Sequence, residues 1–186
     1  MITIFIGKSG SGKDTFLRRE ARNGKKPVVS YTTRPMREGE TDGVDYNFVT
    51  PAVFRLLEKD GKIVESRSYH TAVGGNDDIW YYGSPKLDPE TDEYVAVVDV
   101  NGAYSYMSIY GADMLDIRLI EADDAVRERR AMKRGSFDKT EWDRRVKDDA
   151  VKFSENAIRR LEDAYGRIIT RINNNNEEEK IDEQSR

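Results

Sequence analysis

The sequence predicts an α/β fold in which a parallel central β-sheet is flanked by helices. The apolar run Ile2–Ile6 predicts a strand, and a helix is predicted over 14–22 after a glycine-rich segment. The run Tyr94–Val98 is apolar without alternation and ends in Asp99, which is typical of a strand buried in a parallel sheet. The 186 residues suffice for one good core and are too few for two ordinary domains.

The segment between the first strand and the first helix has the spacing of a phosphate-binding loop. Four residues separate Gly7 from Gly12, and Lys13 follows directly. Glycines permit backbone conformations that turn successive N–H groups towards phosphate oxygens, and the helix N-terminus adds partial positive charge. An ordinary glycine-rich turn is the alternative. The residues predicted to bind nucleotide phosphates are Gly7, Ser9, Gly10, Ser11, Gly12, Lys13, Asp14 and Thr15.

Asp14 departs from the usual pattern of such loops. The position after the lysine normally carries Ser or Thr, whose hydroxyl ligates magnesium. Magnesium prefers oxygen ligands and keeps several waters, so a carboxylate could hold the ion directly or through a water. We therefore expect Mg²⁺ at this loop, with Asp14 as the candidate metal residue.

Composition limits the classes of protein that this chain can represent. Charged residues make up 35 % of the chain, apolar residues 37 %, and there is no cysteine. These features predict a soluble, cytoplasmic protein without disulfides or thiolate metal sites. The first strand begins almost at once, so no signal peptide is expected. A net charge of -4 argues against a general nucleic-acid binder.

A second informative stretch runs from Ser30 to Phe48 and combines hydroxyl groups, turn residues and two arginines. Arg34 and Arg37 are three residues apart and could clamp one phosphate, with Tyr46 adding a hydroxyl. A solvated surface loop is the alternative on composition alone. The aromatic run 79–84 also has two possible roles, since it could form part of the core or a platform for a nucleobase.

The elements between these stretches follow from local signals. Thr50-Pro51 predicts the start of a helix that ends near Lys59. Its residues Val53, Leu56 and Leu57 are expected in the core. A short strand over 62–66 carries Glu65, and 71–78 is expected to be a flexible excursion.

The second half of the chain predicts two helices joined by a short connection. The first runs from 123 or 124 to Arg134 with a basic end, and Asp138 opens a long helix that ends before Gly166. Arginines on both sides of the connection suit a lid that closes over phosphates. A solvated helix hairpin is the alternative. The residues expected to face inward are Trp142, Val146, Phe153, Ile158, Leu161 and Tyr165. A last strand is predicted over 168–172, followed by a disordered acidic tail at 173–186.

Taken together, these residues resemble the guanylate kinase family of nucleoside monophosphate kinases. The similarity runs from the phosphate loop to about residue 173, and Ser30 to Phe48 is its most specific part. The resemblance implies one domain over 1–172, with a monophosphate-binding lobe at about 31–84 and a lid at about 130–146. It also implies ATP as phosphoryl donor, GMP or dGMP as acceptor, and magnesium as cofactor.

The resemblance further implies a role for each site residue. Arg34, Arg37, Tyr46 and Tyr82 would bind the phosphate of GMP, while Ser30 and Ser84 would donate to the O6/N7 edge of guanine. Glu65 and Asp99 would accept from the N1 and N2 side. Lys13, Arg134 and Arg145 would be the catalytic cations on the ATP phosphates.

Two departures from the family keep alternatives open. Residues 69–78 resemble an insertion in the monophosphate-binding lobe. An aspartate directly after the loop lysine, as at Asp14, resembles the phosphate loop of ribose bisphosphate phosphokinase. That enzyme, or another nucleoside monophosphate kinase, is the alternative activity. A non-catalytic protein-binding module is a third reading, which the intact phosphate loop disfavours. We expect small nucleotides as partners, neither nucleic acid nor membrane, and a monomer or homodimer.

Overall fold

The computed structural model describes residues 1–71, 78–133 and 137–176, and at 69–71 and 78 it describes the backbone alone. The strands in these ranges are β1 (Ile2–Ile6), β2 (Lys26–Pro27), β3 (Tyr31–Thr32), β4 (Asn47–Phe48), β5 (Ile63–Thr71), β6 (Asp78–Pro85), β7 (Tyr94–Val97), β8 (Leu115–Glu121) and β9 (Thr170–Asn173). The α-helices are α1 (Lys13–Arg22), α2 (Pro51–Lys59), α3 (Val100–Tyr110), α4 (Asp124–Met132), α5 (Lys139–Lys152) and α6 (Glu155–Tyr165). A 3₁₀ turn, Ala112–Met114, precedes β8.

Five strands form a parallel central sheet in the order β2-β7-β1-β8-β9. All five residues of β1 are buried, because helices cover both faces of the sheet at its centre. Ile2 pairs with Tyr94 on one side and with Leu115 on the other. This arrangement confirms the predicted α/β fold with its parallel sheet.

Alternate residues of β1 supply two cores on opposite faces of the central sheet. Ile4 belongs to the larger core, which α3 and α6 complete with Tyr106 and Leu161. Phe5 faces the other way and packs against Phe16 of α1, with ring centroids 5.7 Å apart. Because successive side chains of a strand point to opposite faces, this one short strand contributes to the cores under both layers of helices.

A second sheet, in the order β4-β3-β6-β5, forms a separate lobe. Strands β5 and β6 are antiparallel and place Glu65 opposite Ser84. Helix α2 covers this sheet and begins, as predicted, at Pro51 after the capping side chain of Thr50. The flexible excursion was predicted over 71–78, but Thr71 and Asp78 belong to β5 and β6, which extend further than predicted. Residues 72–77 lie outside the described residues.

The prediction of the buried face of α2 is wrong in two positions. Val53 and Leu56 are 44 % and 56 % exposed, whereas Phe54 is fully buried against Tyr81. Leu57 is half-buried. Three apolar residues at helical spacing suggested the core face, but α2 lies on the second sheet with Phe54 turned towards Tyr81 of β6.

The long helix predicted after Asp138 is interrupted. Helix α5 ends at Lys152, and Ser154 then has an extended backbone and caps α6 by accepting from the N–H of Ala157. Five of the six residues predicted to face inward are buried, and Val146 is half-buried. A serine cap can begin a new helix wherever the chain must turn, so the predicted helix was too long.

The boundary of the predicted disordered tail is also wrong. Asn173 belongs to β9, and Asn174 is 2 % exposed. Residues 177–186 lie outside the described residues, as does the predicted lid arginine Arg134. Within the described ranges, no helix combines the length and the apolar character needed to cross a bilayer.

Candidate active site

The glycines of the phosphate loop occupy positions that other residues cannot. Gly7, Gly10 and Gly12 have φ angles of 151°, 78° and 93°, which L side chains rarely adopt. A Cβ at Gly7 would lie 2.3 Å from the carbonyl oxygen of Ile120, and one at Gly10 would lie 2.6 Å from that of Arg127. The loop is therefore closely packed against the end of β8 and against α4.

Lys13 begins α1 and folds back over the loop that precedes it. Its Nζ donates to the carbonyl oxygens of Gly7 at 2.8 Å and of Lys8 at 3.0 Å. The ammonium charge and the helix N-terminus thus lie together at the loop, which is the charge distribution that binds phosphate. Asp14 is exposed in the first turn of the same helix.

A buried arginine supports the loop from behind. Arg127 is 1 % exposed and donates to the carbonyl oxygen of Ser9 at 2.9 Å, while Asp149 accepts from the N–H of Ser9 at 2.7 Å. Arg127 also donates to Asp124 at 2.7 Å and lies 3.5 Å from Asp149. The backbone N–H and the carbonyl oxygen of Ser9, which belong to two successive peptide groups, are therefore both held by side chains of α4 and α5.

A second support comes from the end of β9. The side-chain amide of Asn174 donates to the carbonyl oxygen of Ser11 at 2.7 Å, and Arg130 donates to the carbonyl oxygen of Asn174 at 2.7 Å. A Cβ at Gly12 would lie 2.3 Å from that same amide nitrogen. These contacts fix the peptide orientations in the second half of the loop.

The arginine loop of the second lobe forms a polar and aromatic cluster. Arg34 is 4 % exposed and makes a forked contact with Glu40, at 2.8 and 2.7 Å, which lowers the pKa of that carboxyl. The Arg34 guanidinium lies 5.3 Å from the ring centroid of Tyr46, and Tyr82 packs edge-on to that ring at 5.9 Å. Arg37 is exposed and contacts this cluster through its backbone N–H, which donates to Glu40 at 2.8 Å.

Electrostatics link this cluster to the phosphate loop. Burial raises the pKa of the Tyr46 hydroxyl, and the neighbouring Tyr82 and the carboxylate of Asp14 act in the same direction. Arg34 opposes them. The carboxylate of Asp14 at the start of α1 therefore acts on the hydroxyl of Tyr46 in the arginine loop.

Two carboxylates meet between the lobe and the central sheet. Glu65 is 9 % exposed and accepts from the hydroxyl of Ser84 at 3.0 Å. Asp99 caps α3 by accepting from the N–H of Gly102 at 3.0 Å. Arg67 bridges the pair, with Nε 2.6 Å from Glu65 and Nη1 2.5 Å from Asp99. Lys152 lies 3.3 Å from the same oxygen of Asp99.

The pKa of Asp99 reflects these contacts. Burial alone would raise it, but Arg67, the N–H of Gly102 and Lys152 together hold the pKa below its usual value. Asp99 is therefore a carboxylate that stays ionised in a largely buried position.

Arg145 of the predicted lid lies on the exposed side of α5. Its Nε donates to Glu141 at 2.7 Å, and Arg144 contacts the same carboxylate at 2.7 and 2.9 Å. The hydrogen bonds from Arg144 and then Arg145 lower the pKa of Glu141 to about 2. These helical neighbours keep the guanidinium groups at the surface of α5.

Comparison with known proteins identifies the family. The guanylate kinase family model matches residues 1–77. Guanylate kinase of Anaplasma phagocytophilum is 31 % identical over 162 residues, which are 83 % of this chain and 73 % of that protein. The chain belongs to the guanylate kinase family. Guanylate kinase of Gloeobacter violaceus is 37 % identical over 121 residues, and the match spans 61 % of this chain but only 55 % of that protein.

A solved structure supports the fold. The crystal structure of guanylate kinase from Anaplasma phagocytophilum superposes with a TM-score of 0.61, covering 94 % of this chain and 76 % of that one at 24 % identity. The guanylate kinase fold thus extends over most of the chain, beyond the residues that the family model matches.

Within this guanylate kinase fold, the candidate residues fall into three groups. The phosphate loop with Lys13 forms the first, the arginine loop with Tyr46 and Tyr82 the second, and Glu65, Ser84 and Asp99 the third. Ser30 is half-buried, and its carbonyl oxygen accepts from the N–H of Asn47 at 2.9 Å.

Sequence reasoning missed the side chains that support these groups. They are Arg67, Arg127, Asp149 and Asn174. Arg67 follows Glu65 by two residues and therefore shares its face of β5, which was the one available signal. The other three are ordinary polar residues in the sequence, and only the fold brings them to the phosphate loop.

Proposed function

We propose that this chain is an ATP-dependent guanylate kinase that transfers the γ-phosphoryl group of ATP to GMP, giving ADP and GDP. We extend the proposal to dGMP as a second acceptor. The observation that carries it is that one chain combines a supported phosphate loop with a separate lobe that holds an arginine and tyrosine cluster. Membership of the guanylate kinase family supports the choice of acceptor and donor.

The donor side of the reaction depends on the phosphate loop. Backbone N–H groups of the loop and the N-terminus of α1 would bind the ATP phosphates, with Lys13 exchanging its carbonyl partners for phosphate oxygens. Mg²⁺, when bound, would neutralise negative charge on the ATP phosphates. Asp14, exposed in the first turn of α1, is the residue that would hold it, directly or through a water.

The acceptor side requires recognition of both the phosphate and the base. Arg34, Arg37, Tyr46 and Tyr82 would bind the phosphate of GMP. Glu65 and Asp99 accept hydrogen bonds, which matches the N1–H and N2–H₂ donors of guanine, while Ser30 and Ser84 would donate to its O6/N7 edge. Adenine lacks this donor pattern and would leave the carboxylates without partners.

Phosphoryl transfer then needs no covalent intermediate with the protein. An oxygen of the GMP phosphate attacks the γ-phosphorus, the bond to the β–γ bridging oxygen breaks, and ADP leaves with that oxygen. Lys13 and the lid residues Arg134 and Arg145 would stabilise the charge on the transferred group. Arg145 would have to leave Glu141 when the lid closes.

We further propose a cytoplasmic enzyme, monomeric or homodimeric, whose partners are nucleotides. The absence of cysteine from the sequence is consistent with a reducing compartment. An acceptor other than GMP, such as a ribose bisphosphate, was the alternative that Asp14 suggested, and the match to guanylate kinases does not favour it. That activity would make no use of Glu65 and Ser84.

A coupled ADP-release assay with ATP and Mg²⁺ tests the proposal. GMP, dGMP, AMP, CMP, UMP, dTMP and ribose bisphosphate are offered in parallel. We expect turnover with GMP and dGMP only. Turnover confined to a different acceptor would refute the proposed function, and turnover with none would favour the non-catalytic module.

A further inference from the structure

Arg67 occupies the place between the two carboxylates that the proposed function assigns to guanine. Its Nε lies 2.6 Å from Glu65 and its Nη1 2.5 Å from Asp99. The side chains of the two acids are 6 % and 15 % exposed, so both ion pairs are largely shielded from water. Gly102 makes room for the guanidinium, since a Cβ there would lie 3.1 Å from Nη2.

All four carboxylate oxygens of this pair already have partners. Ser84 donates to Oε2 of Glu65, and the N–H of Gly102 donates to Oδ1 of Asp99. Arg67 contacts the two remaining oxygens, with Lys152 a second cation beside Asp99. A base that reads these carboxylates must therefore replace contacts that Arg67 now makes.

The guanidinium group and the N1/N2 edge of guanine offer similar donors. Both are planar and present adjacent N–H groups in one plane, the geometry that suits a carboxylate. Two ligands with the same donor pattern compete for the same acceptors. In this structure the Arg67 guanidinium thus makes the kind of contacts to Glu65 and Asp99 that the base would make.

We propose that Arg67 is a displaceable occupant of the guanine subsite and that it sets the affinity for the acceptor nucleotide. The inference rests on the proposed function. When GMP binds, its N1/N2 edge replaces Arg67 at Glu65 and Asp99, and the guanidinium moves to solvent, which already reaches 26 % of that side chain. Lys152 stays beside Asp99, so the exchange leaves that acid paired.

Removing Arg67 should therefore strengthen GMP binding. In an Arg67→Ala variant the two carboxylates lose the contacts to Arg67, and the nucleotide no longer has to displace a guanidinium group. We expect the Kd for GMP, measured by calorimetry without ATP, to fall by about tenfold. Arg67→Gln, which keeps most of the side-chain volume, should change it in the same direction.

Arg118 provides a matched control. It also bridges two carboxylates, with contacts to Asp116 at 2.6 Å and Glu20 at 3.4 Å, and its side chain is 27 % exposed. Arg118→Ala removes an equivalent pair of contacts outside the candidate site. The Kd for GMP should not change in that variant.

Free guanidinium ion distinguishes occupancy of the subsite from a general structural effect. At concentrations far below the denaturing range, guanidinium chloride should compete with GMP in Arg67→Ala and raise its Kd again. The same salt should have little effect on the wild type or Arg118→Ala, and sodium chloride at equal ionic strength corrects for screening.

The outcomes separate the two proposals. Tighter binding in Arg67→Ala that guanidinium reverses supports the inference. Unchanged or weaker GMP binding in both Arg67 variants, with the wild type still binding GMP, overturns the inference and leaves the proposed function standing. If neither the wild type nor the variants bind GMP, the proposed function itself fails.

Discussion

The ammonium of Lys13 lies against two carbonyl groups of its own loop, so the positive charge is at the phosphate site before a nucleotide binds. Around it, Gly7 and Gly10 leave no space for a Cβ. These are local constraints, each set by one residue and its immediate neighbours. The effects of single substitutions here should accordingly be large and specific.

Lys13→Ala should abolish most turnover while leaving the protein folded. Loss of one preorganised charge on a transferring group typically costs about 10²–10³-fold in kcat. The measurement is steady-state kinetics with ATP and GMP, together with a thermal melt. Lys26→Ala, which removes an exposed lysine paired with Asp92, is the control. Near-normal turnover in Lys13→Ala would contradict its assigned role.

Asp99 should make stability depend on pH in a defined window. Its pKa is lowered in the folded protein, so its contribution is complete above the unfolded pKa, near 4, and is lost as the pH falls through the folded value. The unfolding free energy of the wild type relative to Asp99→Asn should be constant above about pH 5 and decrease below about pH 4. Urea titrations at several pH values measure it. A difference that stays constant through the acid range would contradict the prediction.

Helices α4 and α5 together support the phosphate loop. Arg127 of α4 donates to the carbonyl oxygen of Ser9, and Asp149 of α5 accepts from its N–H. The proposed lid, at about 130–146, overlaps the end of α4 and the first half of α5, so we expect its movement to reach the loop through these two contacts. The interruption at Ser154 allows α6 to pack separately on the central sheet.

Asp149→Asn should weaken both folding and nucleotide binding. Removing one charge of a buried pair leaves Arg127 with less compensation, and the expected loss of unfolding free energy is about 2–4 kcal/mol. The KM for ATP should also increase, because the Ser9 N–H loses a charged acceptor. Urea unfolding and ATP titrations of the rate measure the two effects.

A double variant separates the two effects. Arg127→Met with Asp149→Leu replaces the buried pair with apolar groups of similar size, which often restores stability. The raised KM for ATP should persist because Ser9 then lacks both side-chain partners. If the stable double variant binds ATP like the wild type, these residues support the fold alone.

The whole molecule is organised around β1, whose residues contribute to the cores on both faces of the central sheet. Ile4→Ala should cost about 2–5 kcal/mol of unfolding free energy, because Ile4 is fully buried. Leu56→Ala should cost less than about 0.5 kcal/mol, since Leu56 is 56 % exposed. Urea unfolding of the pair measures both. Similar losses in the two variants would contradict the burial of α2 described above.

Periodicity predicted the elements better than it predicted their faces. Strands β1, β7 and β9 of the central sheet and the helix after Thr50 were found from local signals. The same signals chose Val53 and Leu56 for the core and passed over Phe54. Which stripe of a short helix is buried depends on how the helix is oriented on the sheet that it covers, and no single segment carries that information.

The sequence by itself determined the phosphate loop, because glycine spacing, a preceding strand and a following helix are all local. It also determined the candidate arginine loop and, through resemblance, the family. Only the tertiary structure decided what surrounds these segments. Asp149 and Ser9 are 140 positions apart, and Asn174 and Ser11 are 163 apart. Such contacts depend on how the strands are ordered in the sheet, and Arg67 meets Asp99 only because the second lobe packs against the start of α3.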